Sequence, residues 1–61
     1  MVYFLFLDNI LGKYFVIEGD DDMVMEDAWE EAILVIDNED ELEYIGTISA
    51  EEVDAKDYDV Y

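Results

Sequence analysis

The sequence predicts a small α+β domain of order β-β-α-β-α, a three-stranded, mainly antiparallel sheet packed on one amphipathic helix. Three features predict it. Two short runs rich in β-branched and aromatic residues open the chain, VYFLFL (2–7) and KYFVIE (13–18). A stretch of helical periodicity follows, from about Met23 to Ile36. LEYIGTI (42–48) then alternates, ahead of a segment with the form of a helix cap.

VYFLFL ends at Asp8-Asn9 and shows no alternation, so both of its faces should be covered. Gly12 and Gly19 punctuate KYFVIE, and the link 8–12 is short enough for an antiparallel hairpin. In GDDD (19–22) the chain stops, and Asp22 is placed to cap a helix starting near Met23. Asp20 and Asp21 favour the positive end of that helix. On a helical wheel Met25, Ala28, Trp29, Ala32, Ile33 and Ile36 share one side, and Glu26, Asp27, Glu30 and Glu31 the other. Leu34 falls in the middle of the acidic side. Either the helix ends before it, as the β-branched run Ile33–Ile36 allows, or it is an exposed apolar residue ringed by carboxylates.

DNEDE (37–41) reads as a turn. In the strand 42–48, Leu42, Tyr44 and Gly46 should share one face and Glu43, Ile45 and Thr47 the other, with Gly46 marking a bulge. Ser49 and Glu52 have capping-box spacing for a short helix through about Lys56, with Val53 its main apolar residue. The tail DYDVY (57–61) carries Tyr58, Val60 and Tyr61 to dock on the core. The 61 residues make a single domain, an apolar hairpin over 1–19 and an acidic remainder over 20–61. A chain this short is near the lower limit for folding alone. The short C-terminal helix could cover part of the open face of VYFLFL and a second copy could cover it better, so a homodimer is one expectation.

Nineteen acids stand against two Lys, for a net charge of −17. Apolar residues at 54% and aromatics at 15% argue for a folded domain rather than an acidic disordered tail. Without Cys there is no disulfide or thiolate metal site. Without His the usual general base is missing. Ser49 and Thr47 are the only aliphatic hydroxyls, and the capping position explains Ser49, so no enzyme is expected. No cofactor and no metal site are expected either. Asp37, Glu39 and Glu41 alternate like Ca²⁺ ligands, but Leu42 stands where that loop needs Gly. Residues 1–7 are apolar but too short for a signal-peptide core plus its basic leader, and no run nears the ~20 apolar residues of a membrane span, so a cytoplasmic location is expected. Anionic membranes and nucleic acid would both be repelled.

A surface that repels DNA attracts what binds DNA. Each DNA strand presents one charge per ~3.4 Å of axis. Helical i,i+4 neighbours such as Glu26/Glu30 and Asp27/Glu31 stand about 5–6 Å apart. Strand residues two apart, as Glu41 and Glu43 would be, stand roughly 6.6 Å apart. Between Glu26 and Glu43 lie nine carboxylates and no Lys or Arg. A soluble domain needs a net charge of only about 2–8 in magnitude. The excess costs stability through self-repulsion, which a halophile-type or merely solvated surface would also carry.

The expected partner-binding residues are Glu26, Asp27, Glu30 and Glu31, then Asp37, Glu39, Asp40, Glu41 and Glu43, with Leu34 as an apolar anchor. In composition and size the chain resembles DNA-mimic proteins. Phages and mobile elements make many of these to block restriction enzymes, CRISPR effectors, uracil-DNA glycosylase or nucleoid proteins. The resemblance implies an acidic inhibitor seated in the cationic cleft of a nuclease, CRISPR effector, restriction enzyme, glycosylase or nucleoid protein, in the host cytoplasm if phage-encoded. It assigns no residue roles. The alternative is a small, dimeric interaction or assembly subunit whose basic partner is not mimetically bound.

Overall fold

In the computed structural model, which describes residues 1–61, both opening runs are strands. β1 (Val2–Asp8) and β2 (Lys13–Gly19) pair antiparallel, from Val2 opposite Gly19 to Asp8 opposite Lys13. Asp8 pins the hairpin tip. Its Oδ1 accepts from the backbone N–H of Ile10 (2.9 Å) and Leu11 (3.4 Å). An Asp side chain can bond backbone two positions on, which makes it a turn residue.

α1 (Met25–Ile36) starts two residues later than the sequence predicts, and Asp22 is not its cap. The Met23 N–H donates to the Asp20 carbonyl (2.9 Å), so the chain turns first. Met23 packs against the core, and extended Val24 takes the N-cap position without a side-chain bond. Glu26 and Asp27 in the first turn suit the positive helix end. At the other end the β-branched run stays helical because Ile33 and Ile36 pack on the core, and packing overrides propensity. Asp37 stops the helix in the left-handed region (φ 51°), its N–H bonded to the Ile33 carbonyl at 2.7 Å. A short polar side chain tolerates that conformation.

A single 3-10 turn (Glu39–Glu41) leads into β3 (Leu42–Ile48), which pairs antiparallel with β1. Leu5 lies opposite Gly46 but Phe6 opposite Tyr44, so Ile45 is a bulge residue. The bulge corrects the predicted faces. Leu42 and Tyr44 face α1, whereas Gly46 and Ile48 fall with Leu5 and Tyr3 on the other side of the sheet. Gly46 has φ 154° with open space where a Cβ would sit. Gly46→Ala is therefore expected to destabilise the domain by about 1–3 kcal/mol through backbone strain alone, read as a lower melting temperature without loss of native circular dichroism. A neutral result would show that the bulge relaxes.

α2 (Ala50–Lys56) is capped as the sequence predicts, the Ser49 hydroxyl accepting from the Glu52 N–H at 3.2 Å. Its buried residue is Val53. The tail does more than dock. Asp59–Val60 forms a fourth strand, β4, parallel to β2, with the Tyr61 N–H donating to the Val16 carbonyl (2.8 Å). The sheet is thus four-stranded and mixed, in the order β3-β1-β2-β4, rather than three-stranded.

That order explains where the helices lie. β2, β3 and β4 run the same way, and the two crossovers travel in opposite directions across the sheet. Crossovers of one hand then place their helices on opposite faces. α1 covers Phe4, Phe6, Phe15, Ile17 and Leu42, with Ala28 and Ala32 at the closest approach. α2 covers Leu5 and Val16 through Val53, helped by Tyr58, which packs on Tyr14. The unalternating apolarity of β1 follows from this two-sided cover. No helix is long and apolar enough to cross a membrane.

Candidate functional site

Every acid except Asp8 is exposed. α1 carries four of them as two rows one helical turn long, Glu26/Glu30 and Asp27/Glu31, on the side turned from the sheet. Each row borders its own groove. Asp27 and Glu31 face Glu18, Asp20 and Asp22 across an open groove of about 560 Å³. Glu26 and Glu30 rim a second groove, of about 520 Å³, with Met25, Trp29 and Tyr44. Both rows converge on Leu34, four residues beyond Glu30 and three beyond Glu31. At 83% exposure it is the most exposed large apolar side chain in the molecule. The helix continues past it, so the second of the two sequence-level alternatives holds.

Asp37, Glu39, Asp40 and Glu41 gather past the C-terminal end of α1, where the Asn9 N–H donates to the Glu41 carbonyl (2.9 Å). They prolong the acidic surface beyond Leu34. Glu43 does not join it. Its strand partner is Leu7, which places it on the face of the sheet away from α1. Glu41 lies in the 3-10 turn, so the strand spacing expected between Glu41 and Glu43 is not formed. Glu18 is a residue the sequence did not single out, and Asp20 and Asp22 are ones it offered equally as helix-end residues and as part of the acidic surface. They reach the helix acids only through the fold of β2 against α1, and Asp22 is free to do so because it caps nothing. Neither acidic segment brings three carboxylates close enough to share one metal ion.

Charge relief inside the molecule is scarce. Its one ion pair joins the Met1 amino group to Asp21 at 2.8 Å. That hydrogen bond, and then the opposite charge, hold the Asp21 carboxyl below its ordinary value and the amino group above its own. Lys13 and Lys56 are in no ion pair. Like-charged i,i+4 pairs cost about 0.2–0.5 kcal/mol each, and screening shortens the reach of exposed charges to about 10 Å at 0.1 M salt. The melting temperature is therefore expected to rise by about 5–10 °C between low and moderate NaCl, as differential scanning calorimetry would record. A flat or falling curve would mean that self-repulsion does not limit stability.

The molecule also has an apolar patch, at the hairpin tip. Ile10 and Leu11 at the hairpin tip, Val35 and Ile36 from α1, and Tyr61 line a pocket of about 390 Å³ together with Phe15, Lys13, Asp8 and Asp59. The Tyr61 ring meets Phe15 edge-on at 5.8 Å. Ile10, Leu11, Val35 and Tyr61 are all exposed. Two surfaces of different chemistry thus stand on one small fold, an acidic one along α1 and an apolar one at the hairpin tip.

Set against protein-family models, curated proteins and solved structures, the chain matches none of them.

Proposed function

We propose that the protein is an acidic inhibitor that mimics nucleic acid and occupies the cationic cleft of a DNA- or RNA-acting protein. The observation that carries this reading is the pair of unneutralised carboxylate rows on α1, held at fixed helical spacing and leading to an exposed Leu34. Acidic side chains whose Cβ atoms stand about 5–6 Å apart on a rigid element can meet the cations that neighbouring phosphates would meet. Preformed charge also steers encounter with a basic cleft and rejects acidic surfaces. A nuclease, CRISPR effector, restriction enzyme, glycosylase or nucleoid protein has the required cleft. An anti-defence role for a phage or mobile element, exercised in the host cytoplasm, fits that partner class. The protein carries out no reaction and needs no cofactor in this reading.

The test is capture from a bacterial lysate with this protein as bait, followed by elution with duplex DNA at constant salt. One DNA-binding protein released by the DNA is the expected result. Retained proteins that ignore DNA, or no specific retention, would overturn the mimic reading.

The apolar end of the molecule favours a second reading, a small interaction or assembly subunit that pairs through Ile10, Leu11, Val35 and Tyr61. Pairing there uses the last turn of α1 and leaves Glu26, Asp27, Glu30 and Glu31 outside the lining of the contact. Light scattering tests the pairing, because self-assembly through the hairpin tip doubles the 7.1 kDa mass, and competition with DNA separates the two readings. Ile10→Ser with Leu11→Ser would then restore the monomer.

A further inference from the structure

We propose that the groove between α1 and β3 is a receptor for a single arginine side chain of the partner protein. The proposal rests on the reading of α1 as the surface that meets a basic partner, and it adds a chemical preference that charge alone does not give.

Met25, Trp29 and Tyr44 form the walls of the groove, and Glu26 and Glu30 stand on its rim. The two aromatic walls are fixed from beneath. Trp29 and Tyr44 both pack on fully buried Phe6, at 6.0 and 5.4 Å between ring centroids, and Tyr44 also touches Phe4 at 6.5 Å. Both are only partly buried, so each keeps surface available to a ligand. The side chains that accept hydrogen bonds within the molecule are Asp8, Ser49 and, from the Met1 amino group, Asp21. Glu26 and Glu30 therefore reach the groove with their acceptor capacity unused and no cation beside them.

Aromatic faces next to free carboxylates suit a cation that is also flat. A guanidinium stacks on an aromatic ring and offers a fork of N–H donors to a carboxylate at its edge. Its three-carbon stem can lie along Met25. An ammonium is compact and strongly hydrated, and it gains less from such walls. A purely apolar side chain would desolvate Glu26 and Glu30 without compensation. The occupant does not come from a second copy, because the chain contains no Arg. The opposite groove, beside Asp27 and Glu31, is lined by carboxylates and has no aromatic wall. It serves as an internal control.

Trp29 is the sole tryptophan, so its fluorescence reports on this groove directly. The experiment titrates the protein with blocked tri-arginine and tri-lysine peptides of equal charge at about 150 mM salt. Tri-arginine is expected to change Trp29 emission saturably and to bind at least about fivefold more tightly than tri-lysine. Tyr44→Leu should erase that preference. Glu30→Gln, a surface change that leaves the fold untouched, should weaken tri-arginine about threefold, and Glu31→Gln, which removes the same charge on the other side, should not. Equal affinity for the two peptides, or a preference indifferent to Glu30→Gln, overturns the proposal. The two readings fail separately. DNA-competitive capture without arginine preference would sink only the groove, and arginine preference with a partner that ignores DNA would sink only the mimicry.

Discussion

Reversing Glu26, Asp27, Glu30 and Glu31 together to Lys is expected to abolish binding to the captured partner, a loss of at least about a thousandfold, while the domain stays folded. All four side chains are exposed, and none takes part in a hydrogen bond or ion pair within the chain. Lys and Glu have similar helix propensity. Cations in the first turn oppose the helix dipole, at about 0.3–1 kcal/mol for each of two positions. Against that, each reversal replaces a negative charge by a positive one on an over-charged surface, and those at Asp27 and Glu31 set a Lys near Asp20 and Asp22. The two effects offset, so the native circular dichroism should persist. Binding has no such offset. Opposing a cationic cleft with cations replaces attraction by repulsion, and disrupting one desolvated charge pair already costs about 2–5 kcal/mol. Calorimetric titration against the partner measures the loss. The neutral set Glu26→Gln, Asp27→Asn, Glu30→Gln and Glu31→Gln should fall in between, and Leu34→Ala should cost about tenfold if it is an anchor. Unchanged affinity in the reversed variant would move the contact past Leu34, to Asp37, Glu39, Asp40 and Glu41.

The helix rows at the centre of that prediction were legible in the sequence because they depend only on local periodicity. The wheel separates Glu26, Asp27, Glu30 and Glu31 from Ala28 and Ala32 wherever the helix begins, and the structure begins it at Met25 rather than Met23. Leu34 was visible as a misfit, yet whether it lay in the helix depended on Ile33 and Ile36 finding the core. That is a tertiary fact, and it prevailed over a weak β-branched preference. The Ser49 cap needed only four residues to read.

Features that depend on pairing between distant segments were not legible. Asp59–Val60 is two residues long, too short for alternation to identify, and exists as a strand because β2 offers an edge. Gly46 announced a bulge without saying which residues it would turn over. The bulge at Ile45 places Gly46 and Ile48 on the α2 side, while Leu42 and Tyr44 stay on the α1 side. Glu43, before the bulge, points away from α1 for the same reason that Tyr44 points toward it. Trp29 sits on the apolar side of the wheel, but a wheel cannot show that it stands at the margin of the core with one face in a groove. Glu18, Asp20 and Asp22 join the acidic surface only because β2 ends beside the start of α1.

Phe6→Ala is expected to leave the chain largely unfolded at 25 °C in low salt. Phe6 has no exposed surface, stacks on Phe15 at 5.6 Å and also supports Trp29 and Tyr44. It lies on β1, which is paired on both sides. Truncating a buried Phe costs about 3–5 kcal/mol, transfer and cavity together. A domain of this length has roughly 3–9 kcal/mol in total at the usual stability per residue. Only 11 residues are buried, and the charge repulsion described above draws on the same reserve. The loss should appear as collapsed amide dispersion in NMR and a vanished near-ultraviolet signal from Trp29. Salt then becomes diagnostic. If repulsion and the cavity both act on one cooperative unit, raising NaCl should refold a measurable fraction of the variant, because screening returns part of what the cavity removes. Leu7→Ala, on the opposite face of the same strand and only partly buried, should cost far less and stay native. A Phe6→Ala variant that remains native, with a melting temperature rising with protein concentration, would show that a second copy completes the core. The apolar hairpin tip would then be the first place to look for the contact.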